Sequence, residues 1–401
     1  MKDMREVAII GVGRTEFQPK GNFAVNGGAA AEAAFMDVKG KGKILAKEDI
    51  EIAFFGCTTN IGNAGQMAVQ KADMLGMGVF NIDNGFVTGT QALYTAWRSV
   101  ASGQYDVVLA FGAGTMRPGQ VTVSAGGQAW MFEDTGTPSP YIRLYAQLAR
   151  KYMKDYNISK EILAKVSVKN HKNGKLNPNA LVKEEFTLDQ VLNSRIIAEP
   201  LTKYMCAPTA CGGVCLILAP ATQGHYYSTN PIKIKGCAIT SGKPGLSTMD
   251  SAYDAFTRAM QEACLQVSPW FSAKNIDIAQ IHDAFSITEL ITLEALGFCK
   301  RGEAAKLYEN GATSLDGEIP VNTDGGFMAN GLVLGASDIA QVIENVLQLR
   351  GEAGDRQVKK ENIKYALSAM GASGGSGFCG GIAGRGFGTG GGYEVTILEK
   401  Y

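Results

Sequence analysis

Hydrophobic positions recur along this chain with two different periods. Short apolar runs bounded by glycine or charged residues predict buried strands at residues 6–12, 50–57, 105–111, 214–218, 232–239, 277–282 and 363–370. Apolar residues spaced three or four positions apart predict helices at residues 28–36, 65–75, 91–103 and 253–264. Strands that alternate with helices build a parallel or mixed sheet with both faces covered. The pattern therefore predicts an α/β fold.

The stretch from about residue 120 to residue 197 breaks this alternation. It combines aromatic and charged residues with helical segments at 141–156 and 160–169, and it has turn chemistry at Asn177-Pro178. We therefore expect an inserted region that lies over the first sheet.

The length and the renewed alternation after residue 214 predict two halves. A chain of 401 residues is long enough for two core-forming units. We place their boundary near residues 225–232. The predicted units are residues 1–228, which include the insertion, and residues 229–401.

Charge and composition narrow the possible partners. The chain has 38 Lys and Arg residues and 38 Asp and Glu residues, so its formal net charge is zero. This balance argues against nucleic acid or an anionic membrane as the main partner. The first residues lack the pattern of a signal peptide, and no stretch of about 18 residues is both apolar and free of charge. We expect a soluble cytoplasmic protein.

Cysteine and glycine add two further expectations. The 8 cysteines are scattered, and the nearest approach to a cluster, Cys206, Cys211 and Cys215, has no histidine close by in sequence. We therefore expect reduced thiols and no metal site. Glycine occupies about half of residues 371–392, which predicts a tight loop where backbone approaches a ligand.

Ordered segments along nearly the whole chain resemble landmarks of thiolases. In the first half these are residues 56–66, 82–93 (IDNGFVTGTQAL) and 108–116. Residues 163–178 and 281–299 (IHDAFSITELITLEALGFC) are similar to the branch of thiolases related to sterol carrier protein. Relatives in this branch work with a small partner that carries a zinc ribbon and an OB-fold. Among them, the chain also resembles the heteromeric benzoylsuccinyl-CoA thiolase.

The resemblance implies a fold, a substrate class and partners. The implied fold is the α/β thiolase fold, with two βαβαβαββ halves packed as a five-layered αβαβα body. Coenzyme A is implied as part of the substrate or as cosubstrate, and no cofactor is bound permanently. The implied partners are acyl-CoA, a second copy of this chain in a homodimer, and the zinc-ribbon/OB-fold protein.

Two positions depart from the family pattern. In thiolases the turn at Asn84 leads to a nucleophilic cysteine at a buried helix N-terminus, where the helix dipole and free N–H groups favour a thiolate. That position is Phe86 in this chain, and the histidine that would activate the cysteine corresponds to Leu332. Because apolar residues replace both nucleophile and base, we expect a changed mechanism.

Two polar features remain as candidates for catalysis. His282 corresponds to the residue from which this branch contributes to an oxyanion hole. Cys379 lies in a glycine-rich turn like that of the family's second cysteine, although Met370 aligns with that cysteine. Cys379 is then a relocated acid/base, a nucleophile or an ordinary thiol. The predicted oxyanion and substrate pocket comprises Asn84, Phe86, Asn330, Leu332 and Gly380.

Other charged residues near these motifs are weaker candidates. Asp283 and Glu289 follow His282 and are candidates to orient it, although Glu289 is expected to face solvent or to cap a helix. His171 is expected in a solvated stretch or at the edge of the coenzyme A cleft. The candidates to contact coenzyme A phosphates are Lys151, Lys154, Lys169 and Lys172.

Three functions are compatible with these residues. The leading hypothesis is a thiolase-like acyltransferase that cleaves or forms the carbon–carbon bond of a β-ketoacyl-CoA, with Cys379 as acyl carrier or with direct attack by bound CoA. An alternative is a retro-aldol lyase acting on a β-hydroxyacyl-CoA, which needs an enolate hole but no acyl-enzyme. A third is a non-catalytic subunit that binds acyl-CoA or scaffolds a partner. Phe86 and Leu332 predict an apolar pocket, which suits a bulky or aromatic acyl group and is equally expected of a filled, inactive site.

Overall fold

The computed structural model describes residues 4–38, 44–59, 61–116, 120–123, 127–130, 140–243, 245–371 and 392–401. For residues 120–123, 127–130, 140 and 141 it describes the backbone alone.

Strands and helices alternate over both halves of the chain. The described strands, β1 to β13, are Val7–Arg14, Ile52–Gly56, Gly78–Ile82, Val108–Thr115, Gln120–Val123, Gly127–Trp130, Ile196–Ala198, Leu201–Thr202, Cys211–Pro220, Ile232–Ser241, Ile278–Ile281, Tyr365–Gly371 and Gly392–Lys400. The described helices, α1 to α12, are Phe23–Asp37, Ala64–Lys71, Thr88–Ala101, Pro140–Tyr156, Lys160–Lys175, Leu188–Leu192, Ala221–Tyr227, Thr248–Val267, Ser286–Ala295, Ala304–Glu309, Gly326–Asn330 and Ser337–Arg350. Every strand and helix that the hydrophobic pattern predicts is present, with ends shifted by a few residues.

The main sheet repeats one strand order on its two sides. Its order is β11-β12-β13-β10-β1-β9-β4-β2-β3, and the antiparallel pair β1 and β10 lies between the sides. On the first side, β1 is followed outward by β9, β4 and β2. On the second side, β10 is followed outward by β13, β12 and β11. On each side, the strand that comes first in the chain is therefore followed by the last, the penultimate and the second strand of that side. β3 completes the first side, whereas on the second side Val321 makes an isolated parallel bridge to Ala279.

The helices complete five layers around this sheet. α3 and α12 pack against each other and against both sides of the sheet, α1 and α2 cover the outside of the first side, and α8 covers the outside of the second. Side chains alternate accordingly along β9: Val214 and Leu216 join the core around α3 and α12. Cys215 and Ile217 join the core under α1 and α2. The five layers are thus α1 and α2, the first side of the sheet, α3 and α12, the second side of the sheet, and α8, which is the predicted αβαβα order.

The expectation that residues 120–197 lie over the first sheet is wrong for the two long helices of this region. α4 and α5 pack against α9, and α5 also contacts α10 and α11. Tyr145 and Leu163, on these two helices, belong to the hydrophobic cluster of the second side. Helical spacing predicts which face of a helix is buried, but it does not identify the partner. The boundary between residues 1–228 and 229–401 stays a prediction.

Candidate active site

Phe86 lies at the start of the central helix α3. One turn of 3-10 helix, Gly85–Val87, leads directly into α3 at Thr88. The Phe86 side chain is buried, with 7% of its surface exposed. The first N–H groups of a helix have no acceptor within it, so this end of α3 carries partial positive charge. Phenylalanine, however, has no group that attacks a carbonyl.

His282 lies beside Phe86, directly after β11. Its backbone N–H donates to the carbonyl of Ala369 on β12 at 2.9 Å. The ring meets Phe86 edge-on, with centroids 6.2 Å apart, and it stands at 89° to the ring of Phe327 at 5.6 Å. Burial lowers the pKa of His282 to about 3, so its imidazole is neutral at neutral pH.

The two ring nitrogens of His282 have different surroundings. Nδ1 lies 3.0 Å from Sδ of Met370. Nε2 is buried and has no hydrogen-bond partner among the described residues. A thioether is a weak acceptor, and a neutral imidazole carries one N–H. If that N–H is at Nε2, the site contains an unused donor of the type that stabilises an oxyanion.

Leu332 belongs to the same hydrophobic cluster as Phe86 and Met370. Its backbone N–H donates to the carbonyl of Pro208 at 2.7 Å, and its carbonyl accepts from the N–H of Ala210 at 3.0 Å. Both positions predicted to replace the nucleophile and the base therefore lie in apolar surroundings. Such surroundings suit an apolar acyl group.

The two asparagines predicted for the pocket bond to other side chains of the protein. Asn84 is exposed, and its Nδ2 donates to Oε1 of Gln91 at 3.2 Å. Asn330 is buried; its Nδ2 donates to Oδ2 of Asp324 at 2.7 Å, and its Oδ1 accepts from Nδ2 of Asn177 at 2.8 Å. Asn330 thus fixes the loop ahead of α12. A contact of either asparagine with substrate stays a prediction.

Cys379 and Gly380 lie outside the described residues, so their predicted roles stay predictions. The cysteines within the described ranges are free thiols. Burial raises the pKa of Cys206 to about 12, which makes it a poor nucleophile at neutral pH. Across the described ranges, no group of three or more His, Cys, Asp or Glu residues is arranged to hold a metal ion. Nor does any helix in these ranges have the length and apolar character of a membrane span.

Glu289 is buried, and the expectation that it faces solvent or caps a helix is wrong. It forms an ion pair with Lys169, which is also buried. Its Oε2 accepts from Nδ2 of Asn170 at 2.6 Å and from Nδ2 of Asn322 at 2.8 Å. These partners compensate the loss of hydration. The expectations that Lys169 contacts coenzyme A phosphates and that His171 is solvated are wrong too, because both are buried.

Asp283 holds α11 rather than the imidazole of His282. Its carboxylate accepts from the backbone N–H of Phe327 at 2.7 Å and from Nδ2 of Asn170 at 2.8 Å. Burial, and next the charge of Glu289, raises the pKa of Asp283 well above its ordinary value. Asp283 therefore joins α5 to the wall of the site that Phe327 forms.

Sequence reasoning missed two buried carboxyl groups near this site. Asp338, at the start of α12, accepts from the backbone N–H of Thr90 at 2.7 Å. Glu394, in β13, is fully buried, and its Oε2 has no hydrogen-bond partner among the described residues. A signal for Glu394 was present in the sequence, because it interrupts the otherwise apolar start of the segment 393–398.

Sequence comparison places thiolase domains over most of the chain. The profile described as "Thiolase, N-terminal domain" matches residues 7–215, and "Thiolase C-terminal domain-like" matches residues 238–377.

Relatives of known name are similar along most of their length. Acetyl-CoA acetyltransferase of Methanothermobacter thermautotrophicus is 34% identical, over 92% of this chain and 98% of the relative. Sterol carrier protein 2 of Bos taurus is 30% identical, over 88% of this chain and 68% of the relative. The benzoylsuccinyl-CoA thiolase subunit BbsB of Thauera aromatica is 30% identical, over 90% of this chain and 93% of the relative. These similarities confirm the predicted branch.

Solved structures share the fold. The structure of an "Ltp2-ChsH2(DUF35) aldolase" has a TM-score of 0.79 at 23% identity and covers 98% of both chains. Human mitochondrial 3-ketoacyl-CoA thiolase has a TM-score of 0.68 at 16% identity and covers 99% of both chains. The predicted thiolase fold is confirmed.

Proposed function

Because this chain belongs to the thiolase family and is an enzyme of acyl-CoA metabolism, we propose that it breaks or forms the carbon–carbon bond next to a CoA thioester through an enolate stabilised by His282. No acyl-enzyme forms at residue 86 in this proposal. The reaction that we favour is retro-aldol cleavage of a β-hydroxyacyl-CoA, or its reverse.

The neutral, buried imidazole of His282 is the observation that carries the proposal. Its Nε2 has no partner among the described residues, and its ring lies against Phe86 at the positive end of α3. A thioester oxygen at this point would accept a hydrogen bond from Nε2–H of His282. One preorganised donor of this kind contributes about 3–4 kcal/mol to transition-state stabilisation.

Phe86 favours the lyase reaction over thiolysis. It has no thiol to carry an acyl group, and Leu332 cannot act as a base. Retro-aldol cleavage requires only that the β-hydroxyl loses its proton and that the electrons of the Cα–Cβ bond are held as the thioester enolate. His282 is suited to the second requirement.

A second candidate is CoA-dependent cleavage of a β-ketoacyl-CoA. The names of two relatives favour it, an acetyl-CoA acetyltransferase and a benzoylsuccinyl-CoA thiolase subunit. Without a thiol at residue 86, the acyl group would pass to Cys379 or directly to bound CoA. In both candidates coenzyme A enters as part of a substrate and not as a resident cofactor.

We also propose two protein partners, a second copy of this chain and a small zinc-ribbon/OB-fold protein. β3 is an edge strand of the main sheet, and 56% of Phe80 on it is exposed, which is typical of a strand that pairs with another chain. The aldolase of known structure is named for Ltp2 together with a DUF35 chain, and BbsB is named as a subunit. A partner chain agrees with both names.

Product analysis by mass spectrometry tests these proposals. The purified protein, with and without a candidate zinc-ribbon/OB-fold partner, is mixed with β-hydroxyacyl- and β-ketoacyl-CoAs of several chain types, each with and without free CoA. We expect cleavage of a β-hydroxyacyl-CoA without CoA. His282→Ala should slow it by about 100-fold or more, whereas the exposed His225→Ala should leave it unchanged.

The other outcomes separate the alternatives. Cleavage that requires CoA and is lost in Cys379→Ala would favour the second candidate with Cys379 as carrier. If neither substrate class is cleaved in the presence of the partner, both candidate reactions are wrong.

A further inference from the structure

His282, Met370 and Glu394 form one row across three neighbouring strands. In the parallel pair of β11 and β12, Ile281 lies opposite Ala369, so the next residues, His282 and Met370, are neighbours too. In the antiparallel pair of β12 and β13, Met370 lies opposite Glu394. Directly opposite side chains share a face of a sheet. Glu394 therefore lies beside Met370 on the face that carries His282.

A second row of polar residues lies next to the first. Its members, in order across four strands, are Gln280, Ser368, Thr396 and Cys237. All four are buried, and Oγ of Ser368 and Oε1 of Gln280 have no hydrogen-bond partner among the described residues. Buried polar atoms of this kind are usually satisfied by ordered water. This row is therefore a place where water can connect the strand of Glu394 to the strand of His282.

Only one carboxyl oxygen of Glu394 has a hydrogen-bond partner among the described residues. Oε1 accepts from the hydroxyl of Thr396 and lies 3.7 Å from Sγ of Cys237. Oε2 is buried without a partner among the described residues. A buried carboxyl group with an unused oxygen is costly for stability, so such groups are concentrated where chemistry needs them.

Among the described residues, the groups that interact with Glu394 carry no positive charge. They are Asp338 from α12, Cys237 from β10 and Thr396 from β13, and Glu262 of α8 and Tyr94 of α3 interact electrostatically with Cys237. Burial, with a smaller contribution from Asp338, raises the pKa of Glu394 to about 8. Glu394 thus exchanges a proton near neutral pH, where acid/base catalysis is most effective.

We propose that Glu394 is the acid/base that exchanges a proton with the Cα atom of the substrate, a role that rests on the enolate chemistry proposed above. Neighbouring strands are about 4.8 Å apart, so the backbones of β11 and β13 are separated by roughly 10 Å. A thioester oxygen bonded to His282 places the adjacent Cα near Met370. Because Met370 stands between this Cα and Glu394 in the first row, the proton passes through ordered water along the neighbouring row of Gln280 and Ser368.

The proton balance needs no further reactant. The carboxylate of Glu394 takes the β-hydroxyl proton through the water as the Cα–Cβ bond breaks, and the electrons of that bond become the enolate. The Cβ fragment leaves as an aldehyde or ketone. The Glu394 acid then returns the proton to Cα, a C–H bond forms and the carboxylate is restored.

Measurement of hydrogen exchange at Cα tests the proton transfer by Glu394 separately from carbon–carbon bond cleavage. The protein, together with its partner, is incubated in D₂O with acetyl-CoA and with the acyl-CoA product of cleavage, and deuterium at Cα is followed by mass spectrometry. We expect Glu394→Gln to exchange about 100-fold more slowly than the wild type. Glu399→Gln is the matched control on the same strand, because its carboxylate bonds to the hydroxyl of Tyr365, and it should exchange at the wild-type rate.

The result can overturn this inference without touching the proposed function. If Glu394→Gln exchanges at the wild-type rate and Cys379→Ala does not exchange, the residue that transfers the proton to Cα is Cys379 and not Glu394. If Glu394→Gln melts below the assay temperature, Glu394→Asp decides: a shifted pH profile of exchange supports the role of Glu394, and an unchanged profile contradicts it. A wild-type protein that neither exchanges nor cleaves would instead contradict the proposed function.

Discussion

The carboxylate of Asp338 accepts a hydrogen bond from the backbone N–H of Thr90, at 2.7 Å, although the two residues are 248 positions apart. Thr90 belongs to the first turn of α3, whose N–H groups have no acceptor within the helix. Asp338 therefore fastens the start of α3, and with it Phe86, to the start of α12. Glycine at residue 89 permits this approach, because an added Cβ would lie 2.3 Å from Oδ1 of Asp338.

Replacing this cap is expected to destabilise the protein. Asp338→Ala leaves the buried N–H of Thr90 without its acceptor, which should lower the free energy of unfolding by about 1–3 kcal/mol. Guanidinium denaturation measures the change. Asp355→Ala is an exposed control and should stay within about 0.5 kcal/mol of the wild type. Equal stability of Asp338→Ala and the wild type would mean that Thr90 has another acceptor.

Buried carboxyl groups should make stability fall as pH rises. Burial raises the pKa of Asp338 to about 6 and that of Glu394 to about 8, from ordinary values of 3.8 and 4.5. Between the ordinary and the raised values, the folded protein holds protons that the unfolded chain has released. The stability from these protons is therefore full below about pH 4 and is lost as the pH rises to about 8.

Glu394→Gln should remove the part of this pH dependence of stability that comes from ionisation of Glu394. The amide cannot ionise, so the variant should gain stability relative to the wild type, on the order of a few kcal/mol, between about pH 5 and pH 8.5. Denaturation curves for both proteins across this range give the difference. A difference that does not change with pH would show that Glu394 is not protonated in the folded protein at neutral pH.

The buried ion pair of Lys169 and Glu289 should be essential for stability. Lys169→Met leaves the Glu289 carboxylate unpaired in the core and should cost about 3–5 kcal/mol. Lys172→Met, on the exposed side of the same helix, is the control and should change stability by less than about 0.5 kcal/mol. Adding Glu289→Gln to Lys169→Met should restore part of the loss, because no uncompensated charge stays buried. Chemical denaturation of the four proteins tests this, and equal losses in both lysine variants would contradict it.

The central helices and the sheet meet too closely at Gly112 for a side chain. An added Cβ at residue 112 would lie 1.8 Å from the carbonyl oxygen of Gly335 and 3.1 Å from that of Gly56. Gly112→Ala should therefore abolish the folded state. An added Cβ at Gly62 meets nothing within 4 Å, so Gly62→Ala should fold normally. Soluble yield and near-UV circular dichroism compare the two, and a folded Gly112→Ala would contradict the packing of β4 against Gly335.

His282 should stay neutral over the physiological pH range. Burial lowers its pKa to about 3, and its proposed role requires the proton on Nε2. The chain has 3 histidines, so ¹⁵N-labelled histidine gives a simple spectrum in which His282→Gln assigns the signal. We expect the Nε2–H tautomer and no titration between about pH 5.5 and pH 8. Titration in this range, or a proton on Nδ1, would remove the donor that the proposed reaction needs.

Local pattern in the sequence was sufficient for most of the strands and helices. The strand predicted at 232–239 is β10, Ile232–Ser241, and the helix predicted at 253–264 is α8, Thr248–Val267. β3, Gly78–Ile82, was not predicted, because its residues are mostly exposed and form no buried apolar run. Edge strands carry a weaker hydrophobic signal than central ones.

The sequence predicted which motifs meet at the candidate site, because their order in the chain is typical of the family. It did not predict which charged residues are buried near the site. The motifs containing Phe86 and His282 were expected to meet, and the two rings lie 6.2 Å apart. Lys169 and Glu289 were expected at the surface, yet they pair in the core across 120 positions. Whether a charged residue can be buried depends on a partner that is distant in sequence, and local pattern does not contain that partner.

The sequence by itself determined the α/β class and the thiolase landmarks, because periodicity and motif order are properties of neighbouring residues. That Phe86 and Leu332 replace the nucleophile and the base stays a prediction from the same motifs. Only the tertiary structure decided that the inserted helices cover the second side of the sheet and that Glu394 lies beside Met370. These relationships depend on strand register and on which apolar faces meet. Both are settled by packing among segments far apart in the chain.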